Sequence, residues 1–406
     1  MDAQQQRLKV LIAGVTSLIL MLGVARFAYT PLLPVMQQQT ELSTLAGGWL
    51  ATINYVGYLM GALMAASISS LTLKDRLYRI GIVLAVVTTA MMAVTTNPYI
   101  WGISRWLAGF SSAAGLLLGS GLILNWLLRH KFRSELGIHF GGVGIGIFFC
   151  ALVTEASANT IDWSGQWWLF TLLATLLAIP AWLWLPKPDT ASANQQQVPP
   201  DSPPSKRFVW LMMASYGFAG VAYVVLATFI VALAELQPAL QGKGNYAFML
   251  VGLAAAPACI AWDLIARRIG VINALLICYL CQFVSALLPV LEGNLTILVL
   301  TSLLYGFTFI GIVSLVLTMA GRFYPSKPAK LMGQMTLMYG IAQIIAPAIT
   351  GLLASWSGNY QGGLLLAAGA MIAGTLLLKL ADRSLSLQDR NCISPASSND
   401  QKTPAR

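Results

Sequence analysis

Apolar runs of about 20 residues recur from one end of this 406-residue sequence to the other. A helix of that length crosses the hydrocarbon core of a bilayer and satisfies its own backbone polar groups. A water-soluble core could not bury a chain that is 57% hydrophobic and only 9% charged. We therefore predict an all-α integral membrane protein. Its twelve transmembrane helices are expected over residues 10–36, 44–72, 78–97, 99–127, 136–158, 166–185, 208–236, 246–266, 270–291, 295–321, 331–354 and 360–380.

The basic residues lie almost entirely on one side of these spans. Of the 24 lysines and arginines, only Lys243 falls in a loop on the opposite side, and only Arg26 and Arg105 fall inside spans. Positively charged loops stay on the cytoplasmic side, so we expect both termini in the cytoplasm and the protein in a bacterial cytoplasmic (inner) membrane. The net charge of +10 comes mainly from these loops, so we do not expect nucleic acid as a partner. The expected partners are the lipid bilayer and a small molecule. We expect the protein to be a monomer.

A hydrophilic segment rich in Pro, Gln and Ser divides the chain into two halves of six spans. The predicted units are an N-terminal six-helix bundle (1–185), a cytoplasmic linker (186–207), a C-terminal six-helix bundle (208–383) and a disordered cytoplasmic tail (384–406). Residues 1–185 and 208–383 also share short motifs.

These motifs recur at a nearly constant offset. The GVA of residues 23–25 returns at 220–222, and the LxGF of residues 107–110 returns at 304–307. Such matches are typical of a duplicated bundle, so the two halves are expected to be pseudo-symmetric.

Arg26 is the first candidate functional residue, because it lies within an apolar span. A cation near the bilayer centre costs at least about 3 kcal/mol, so it normally faces protein, a partner or water. Helical spacing aligns Arg26 with Gly23, Tyr29 and Thr30 in a polar stripe that suits a cavity wall. The alternative is that Arg26 only fixes helix packing, but no acidic residue is expected at the membrane centre to pair with it.

Two short motifs resemble those of the major facilitator superfamily of secondary transporters. Arg105 and Gly109 form an RxxxG in the fourth span, and residues 74–79, KDRLYR, are similar to the DRxGR loop signature, with Tyr78 where glycine is usual. RFAYTPLLP from Arg26, with matching residues in spans ten and eleven, is similar to the YbfB/YjiJ-type branch. The resemblance implies two bundles that rock around a central site.

Polar and aromatic side chains on other spans complete the predicted substrate site. Arg105 is as well explained by a structural or coupling role as by substrate contact, and the others have ordinary hydrogen bonding between helices as their alternative. With Arg26, Tyr29 and Thr30, the predicted cavity residues are Asn54, Tyr58, Arg105, Tyr216, Tyr223, Tyr305, Thr308, Tyr339 and Gln343.

The charged residues near the span ends are candidates for coupling and gating. Glu155 and Glu235 are the acids that are able to reach a cavity and to carry protons, with a solvated helix end as the alternative. A latch between the bundles is predicted at the cytoplasmic ends, from Asp75, Arg76 and Arg79 in one half and Asp263, Arg267 and Arg268 in the other.

The chain shows no enzyme signature: its two histidines lack metal ligands at the right spacing, and no phosphate-binding loop is present. We expect no catalytic residue, metal or cofactor. Two intramembrane arginines without a central acid favour a small organic anion as the transported solute. The alternatives are efflux of amphipathic or aromatic compounds and, from another class, a membrane receptor that does not transport or an embedded enzyme.

Overall fold

The computed structural model describes residues 3–130, 132, 136–188, 201–324 and 329–393, and the regular structure in these ranges is helical throughout. Most of the predicted linker (189–200) and the end of the predicted tail (394–406) lie outside the described residues.

Twelve of the helices in the described ranges are long and apolar enough to cross a membrane, which confirms the predicted number. Each predicted span overlaps one of them. The helices are α1 (Ala3–Gln39), α2 (Thr44–Ser67), α3 (Leu71–Ala93), α4 (Pro98–Leu127), α5 (Leu136–Ser157), α6 (Trp163–Leu183), α7 (Lys206–Glu235), α8 (Gly244–Ile269), α9 (Val271–Leu291), α10 (Leu295–Phe323), α11 (Leu331–Ser357) and α12 (Gln361–Arg383).

Two local predictions are corrected. The motif at residues 74–79 was predicted as a loop, but it lies inside α3, because Ser70 caps that helix by accepting a hydrogen bond from the backbone N–H of Leu73. The tail was predicted to be disordered from residue 384, but Leu387–Ile393 form a short helix, α13. The side chain of Ile393 is buried, and its carbonyl accepts a hydrogen bond from Arg322 Nη1 at the end of α10.

The two halves meet along three pairs of helices, α1 with α7, α2 with α11 and α5 with α8. The contact between α5 and α8 is the closest, since a Cβ added to Gly252 would lie 2.3 Å from the backbone nitrogen of Phe148. Small residues allow such close approach where lipid supplies no hydrophobic drive between helices.

Helix α1 is not a regular α-helix through its middle. Residues Ile19–Phe27 wind as a π-helix, and the N–H of Ala28 donates to the carbonyl of Gly23, five residues earlier. In that pattern the carbonyl of Arg26 would pair with residue 31, but Pro31 has no N–H to donate. The wide turn therefore leaves a carbonyl for another helix to satisfy, at the position of the candidate arginine.

Candidate functional site

A cavity of about 400 Å³ lies between the two bundles. Its walls run from Arg26, in the middle of α1, to Leu136, Gly321 and Met332, near the helix ends on the side of both termini. On the opposite side the bundles touch: Thr30 Oγ1 donates to the carbonyl of Ala227 at 2.7 Å. The cavity is therefore reached from the side of the termini.

The cavity wall is mostly apolar, with polar groups at its inner end and along its length. It is lined by Arg26 and Gln343; by the aromatic residues Phe27, Tyr58, Phe140, Tyr216, Tyr223, Phe309 and Tyr339; by Ser120, Cys259, Ser314, Thr318 and Thr336; and by Leu22, Leu116, Leu117, Gly121, Leu124, Leu136, Val143, Ile310, Val313, Leu317, Gly321 and Met332.

Arg26 is the one charged side chain in the part of the wall that the structure describes. Its Nη2 donates to Gln343 Oε1 at 3.0 Å and to the hydroxyl of Tyr223 at 3.4 Å, so it bridges the two bundles. Its Nε is buried and has no hydrogen-bond partner among the described residues. The rings of Tyr55 and Tyr58 lie 4.5 and 4.6 Å from its Cζ, a favourable cation–π distance.

Aromatic rings surround the Arg26 end of the cavity. Tyr216 and Tyr339 are stacked with centroids 4.4 Å apart, and Tyr223 stacks on Tyr339 at 5.6 Å. Phe309 continues the series at 5.4 Å from Tyr223. The charged end of the cavity is thus walled by flat rings from α7, α10 and α11.

Arg105 does not line the cavity. Its Nη1 and Nη2 donate to the carbonyls of Ala25 and Arg26 at 3.0 and 3.2 Å, which satisfies backbone oxygens of the π-helical turn. The ring of Tyr29 covers its Cζ at 4.5 Å. Asn54 in turn donates to the carbonyl of Arg105 at 2.8 Å. Arg105 therefore holds α1 in place and is held by α2.

Four further candidates also lie off the cavity wall. Tyr29 donates to the carbonyl of Gly47, and Tyr305 donates to that of Tyr223, both at 2.9 Å. Thr308 bonds back to its own helix, and Thr30 seals the opposite side. The wide turn explains why Tyr29 and Thr30 lie off the wall, because it rotates the residues that follow it away from the face that regular helical spacing predicts.

Six predicted residues do come together at the wall, namely Arg26, Tyr58, Tyr216, Tyr223, Tyr339 and Gln343. Sequence reasoning missed the polar residues nearer the mouth, such as Ser120, Ser314 and Thr336. The internal repeat is the sequence feature that indicates them, because residues that line the cavity in one half match lining residues 196 or 197 positions later in the other half. The matched pairs are Arg26 with Tyr223, Leu116 with Val313, Leu117 with Ser314, Ser120 with Leu317, Gly121 with Thr318, Leu124 with Gly321, Leu136 with Met332, Phe140 with Thr336 and Val143 with Tyr339.

The predicted latch residues sit within their own bundles in this structure. Arg79 Nε lies 3.0 Å from Asp75 Oδ2, and its Nη1 donates to the carbonyl of Trp182. Arg267 pairs with Asp263 at 2.7 Å, and Arg76 and Arg268 are exposed. A latch that joins the bundles in another conformation stays a prediction.

The two acids predicted for proton coupling lie outside the cavity wall. Glu155 Oε2 accepts a hydrogen bond from Asn245 Nδ2 at 2.9 Å, which links α5 to α8. Glu235 accepts from the backbone N–H groups of Gly242 and Gly244 and so orders its loop. Their role in coupling stays a prediction.

Across the described ranges no cluster of three or more His, Cys, Asp or Glu is placed to hold a metal ion.

Comparison with known proteins gives a consistent picture. The profile of the family described as "Uncharacterised MFS-type transporter YbfB" matches residues 18–379. The gentisate transporter of Corynebacterium glutamicum is 22% identical over 88% of this chain and 84% of its own length. An uncharacterized transporter, mfc1 of Schizosaccharomyces pombe, is 23% identical over 30% of this chain, a match that spans only 25% of that protein. Among solved structures, the nucleoside transporter NupG and a variant of it both superpose with a TM-score of 0.73 at 14% identity, and the variant covers 93% of this chain and 99% of its own.

Proposed function

Because this chain belongs to the YbfB-type family of major facilitator transporters, we propose that it moves a small organic anion across a bacterial cytoplasmic membrane by alternating access. In this proposal the two bundles rock around Arg26, and the cavity open toward the termini is the cytoplasm-facing state. Transport is driven by an ion gradient, protons being the first candidate, or by exchange of one solute for another. The transporter works as a monomer.

The observation that carries this proposal is the uncompensated charge of Arg26. A guanidinium stays protonated at any accessible pH, and no acid accompanies it in the described part of the cavity wall. An unpaired cation in a membrane interior is costly, and a bound carboxylate relieves that cost. Nη2 is bonded to Gln343 and Tyr223 and Nε is buried, which leaves Nη1 as the donor for such a carboxylate. The relative named as a gentisate transporter supports an anionic solute.

Efflux of uncharged or cationic amphipathic compounds is the second candidate, and the largely apolar wall favours it. The two candidates differ in what they require of Arg26. An anion carrier needs the guanidinium for affinity, whereas an amphipath exporter needs chiefly the apolar wall.

The test is uptake of radiolabelled gentisate into proteoliposomes, with affinity and melting temperature measured on the same purified proteins. Arg26→Lys keeps the charge but loses the planar guanidinium and its fixed donors, so affinity should fall about tenfold, and Arg26→Ala should lower it about a hundredfold. Arg207→Ala is the matched control, because Arg207 is an exposed arginine at the start of α7. Unchanged affinity in a well-folded Arg26→Ala protein would overturn the anion proposal and favour efflux.

A further inference from the structure

We propose that the transported anion is a flat aromatic ring that bears one carboxylate. This inference rests on the proposed function and adds to it the charge number and the shape of the solute. It follows from three features of the Arg26 end of the cavity, which are its charge, its rings and the polarity of its remaining wall.

The charge balance admits one carboxylate. Arg26 is the sole cation on the described wall. The second buried arginine, Arg105, donates from both Nη atoms to carbonyls of α1. A second carboxylate on the solute would lie in an apolar chamber without a cation, which is costly for a desolvated charge. Gln343 and Tyr223 already occupy Nη2. Nε is buried as well, so the single carboxylate meets Nη1, the guanidinium nitrogen that is neither bonded to these side chains nor buried.

The rings around Arg26 select an aromatic body. Tyr58 lies under the guanidinium, while Tyr216, Tyr339 and Tyr223 form a stacked series in the wall. An aromatic solute whose carboxylate is held at Arg26 places its ring among these side chains, where stacked or edge-on contacts add to the area that is buried. A saturated ring of the same size and charge gains the burial but not these contacts.

The rest of the wall argues against a heavily hydroxylated solute. Beyond the rings most of the wall is aliphatic, and of its hydroxyls those of Ser120 and Thr336 already donate to carbonyls of their own helices. A sugar acid would leave most of its hydroxyls unpaired there, and each unpaired buried polar group weakens binding. One ring with few polar substituents matches this wall.

The deciding experiment compares four probes on the purified full-length protein by calorimetry and by proteoliposome uptake. Benzoate carries the proposed features, cyclohexanecarboxylate has the charge without the flat ring, terephthalate has a second carboxylate, and benzyl alcohol has no charge. We expect benzoate to bind about two- to tenfold more tightly than cyclohexanecarboxylate, terephthalate to bind at least tenfold more weakly than benzoate, and benzyl alcohol not to be concentrated.

A pair of variants at Tyr216 assigns the preference to the rings. Tyr216→Phe keeps the ring and should keep the preference of benzoate over cyclohexanecarboxylate, whereas Tyr216→Leu should reduce it. Equal binding of the two monocarboxylates, still dependent on Arg26, would overturn the aromatic inference and leave the anion carrier intact. Tighter binding of terephthalate would overturn the single charge. Transport of benzyl alcohol without binding of any carboxylate would overturn the proposed function itself.

Discussion

Two arginines lie buried in the membrane-spanning part of this protein, and their hydrogen-bond partners separate their roles. Arg105 donates hydrogen bonds from its two terminal nitrogens to the backbone carbonyls of Ala25 and Arg26. Arg26 donates from Nη2 to two side chains of the other bundle and lies in the cavity wall. Loss of Arg105 should therefore appear in stability, and loss of Arg26 should appear in affinity.

The first prediction tests this division with one substitution at each position. Arg105→Gln should cost about 2 kcal/mol or more of unfolding free energy, because the shorter side chain cannot donate to both buried carbonyls of α1. Ligand affinity per folded molecule should fall less than tenfold. Arg26→Gln is the matched variant and should give the reverse pattern. Thermal melts and gentisate titrations on the same preparations measure both quantities. A normal melting temperature with lost affinity for Arg105→Gln would place that residue in the binding site.

At the residue scale the sequence predicted the charged residue of the cavity better than the rest of its wall. An arginine in an apolar run is conspicuous, and so is a tyrosine at helical spacing from it. A leucine that lines a cavity, such as Leu117, has the same sequence signature as one that faces lipid. Tyr29 and Thr30 were misplaced for a different reason, since the wide turn before them changes the helical period locally.

At the element scale, the length of the bilayer made the twelve spans predictable, whereas the irregular turn in α1 was not. That turn depends on Arg105 of α4, which satisfies its carbonyls, and such a contact between helices is invisible in a local pattern. The close approach of α5 and α8 is a further contact of this kind, because it needs glycine on both helices.

The second prediction concerns that contact. In Gly252→Ala the new methyl group would collide with backbone atoms of α5, so α5 and α8 must move apart. Overpacking of this kind costs about 1–3 kcal/mol, and we expect a lower melting temperature and slower proteoliposome uptake. Gly369→Ala in α12 is the matched control, because an added Cβ there has no neighbour within 4 Å. Uptake and melting at the wild-type values in Gly252→Ala would show that the helices do not depend on this contact.

At the scale of the whole molecule, the internal repeat is related to the cavity that opens on one side of the protein. Matched positions of the two halves line one cavity, so both bundles contribute to its wall. On the side away from the termini, Thr30 bonds to Ala227, and Thr52 Oγ1 donates to the carbonyl of Ile344. Rocking of two similar bundles would break these contacts and close the present opening, which is the motion that alternating access requires.

The last prediction fixes which compartment this opening faces. Single cysteines are placed at Ser202, before α7, at Thr336 in the cavity wall and at Thr52 on the closed side, in a background whose five native cysteines are replaced by alanine. If the basic loops are cytoplasmic, a membrane-impermeant maleimide should label Ser202→Cys and Thr336→Cys in inverted vesicles and neither in intact cells. Thr52→Cys should resist the reagent in inverted vesicles, since α11 covers it. Labelling of Ser202→Cys from outside intact cells would reverse the topology. Protection of Thr336→Cys in vesicles that label Ser202→Cys would instead mean that the cytoplasm-facing opening is not the resting state.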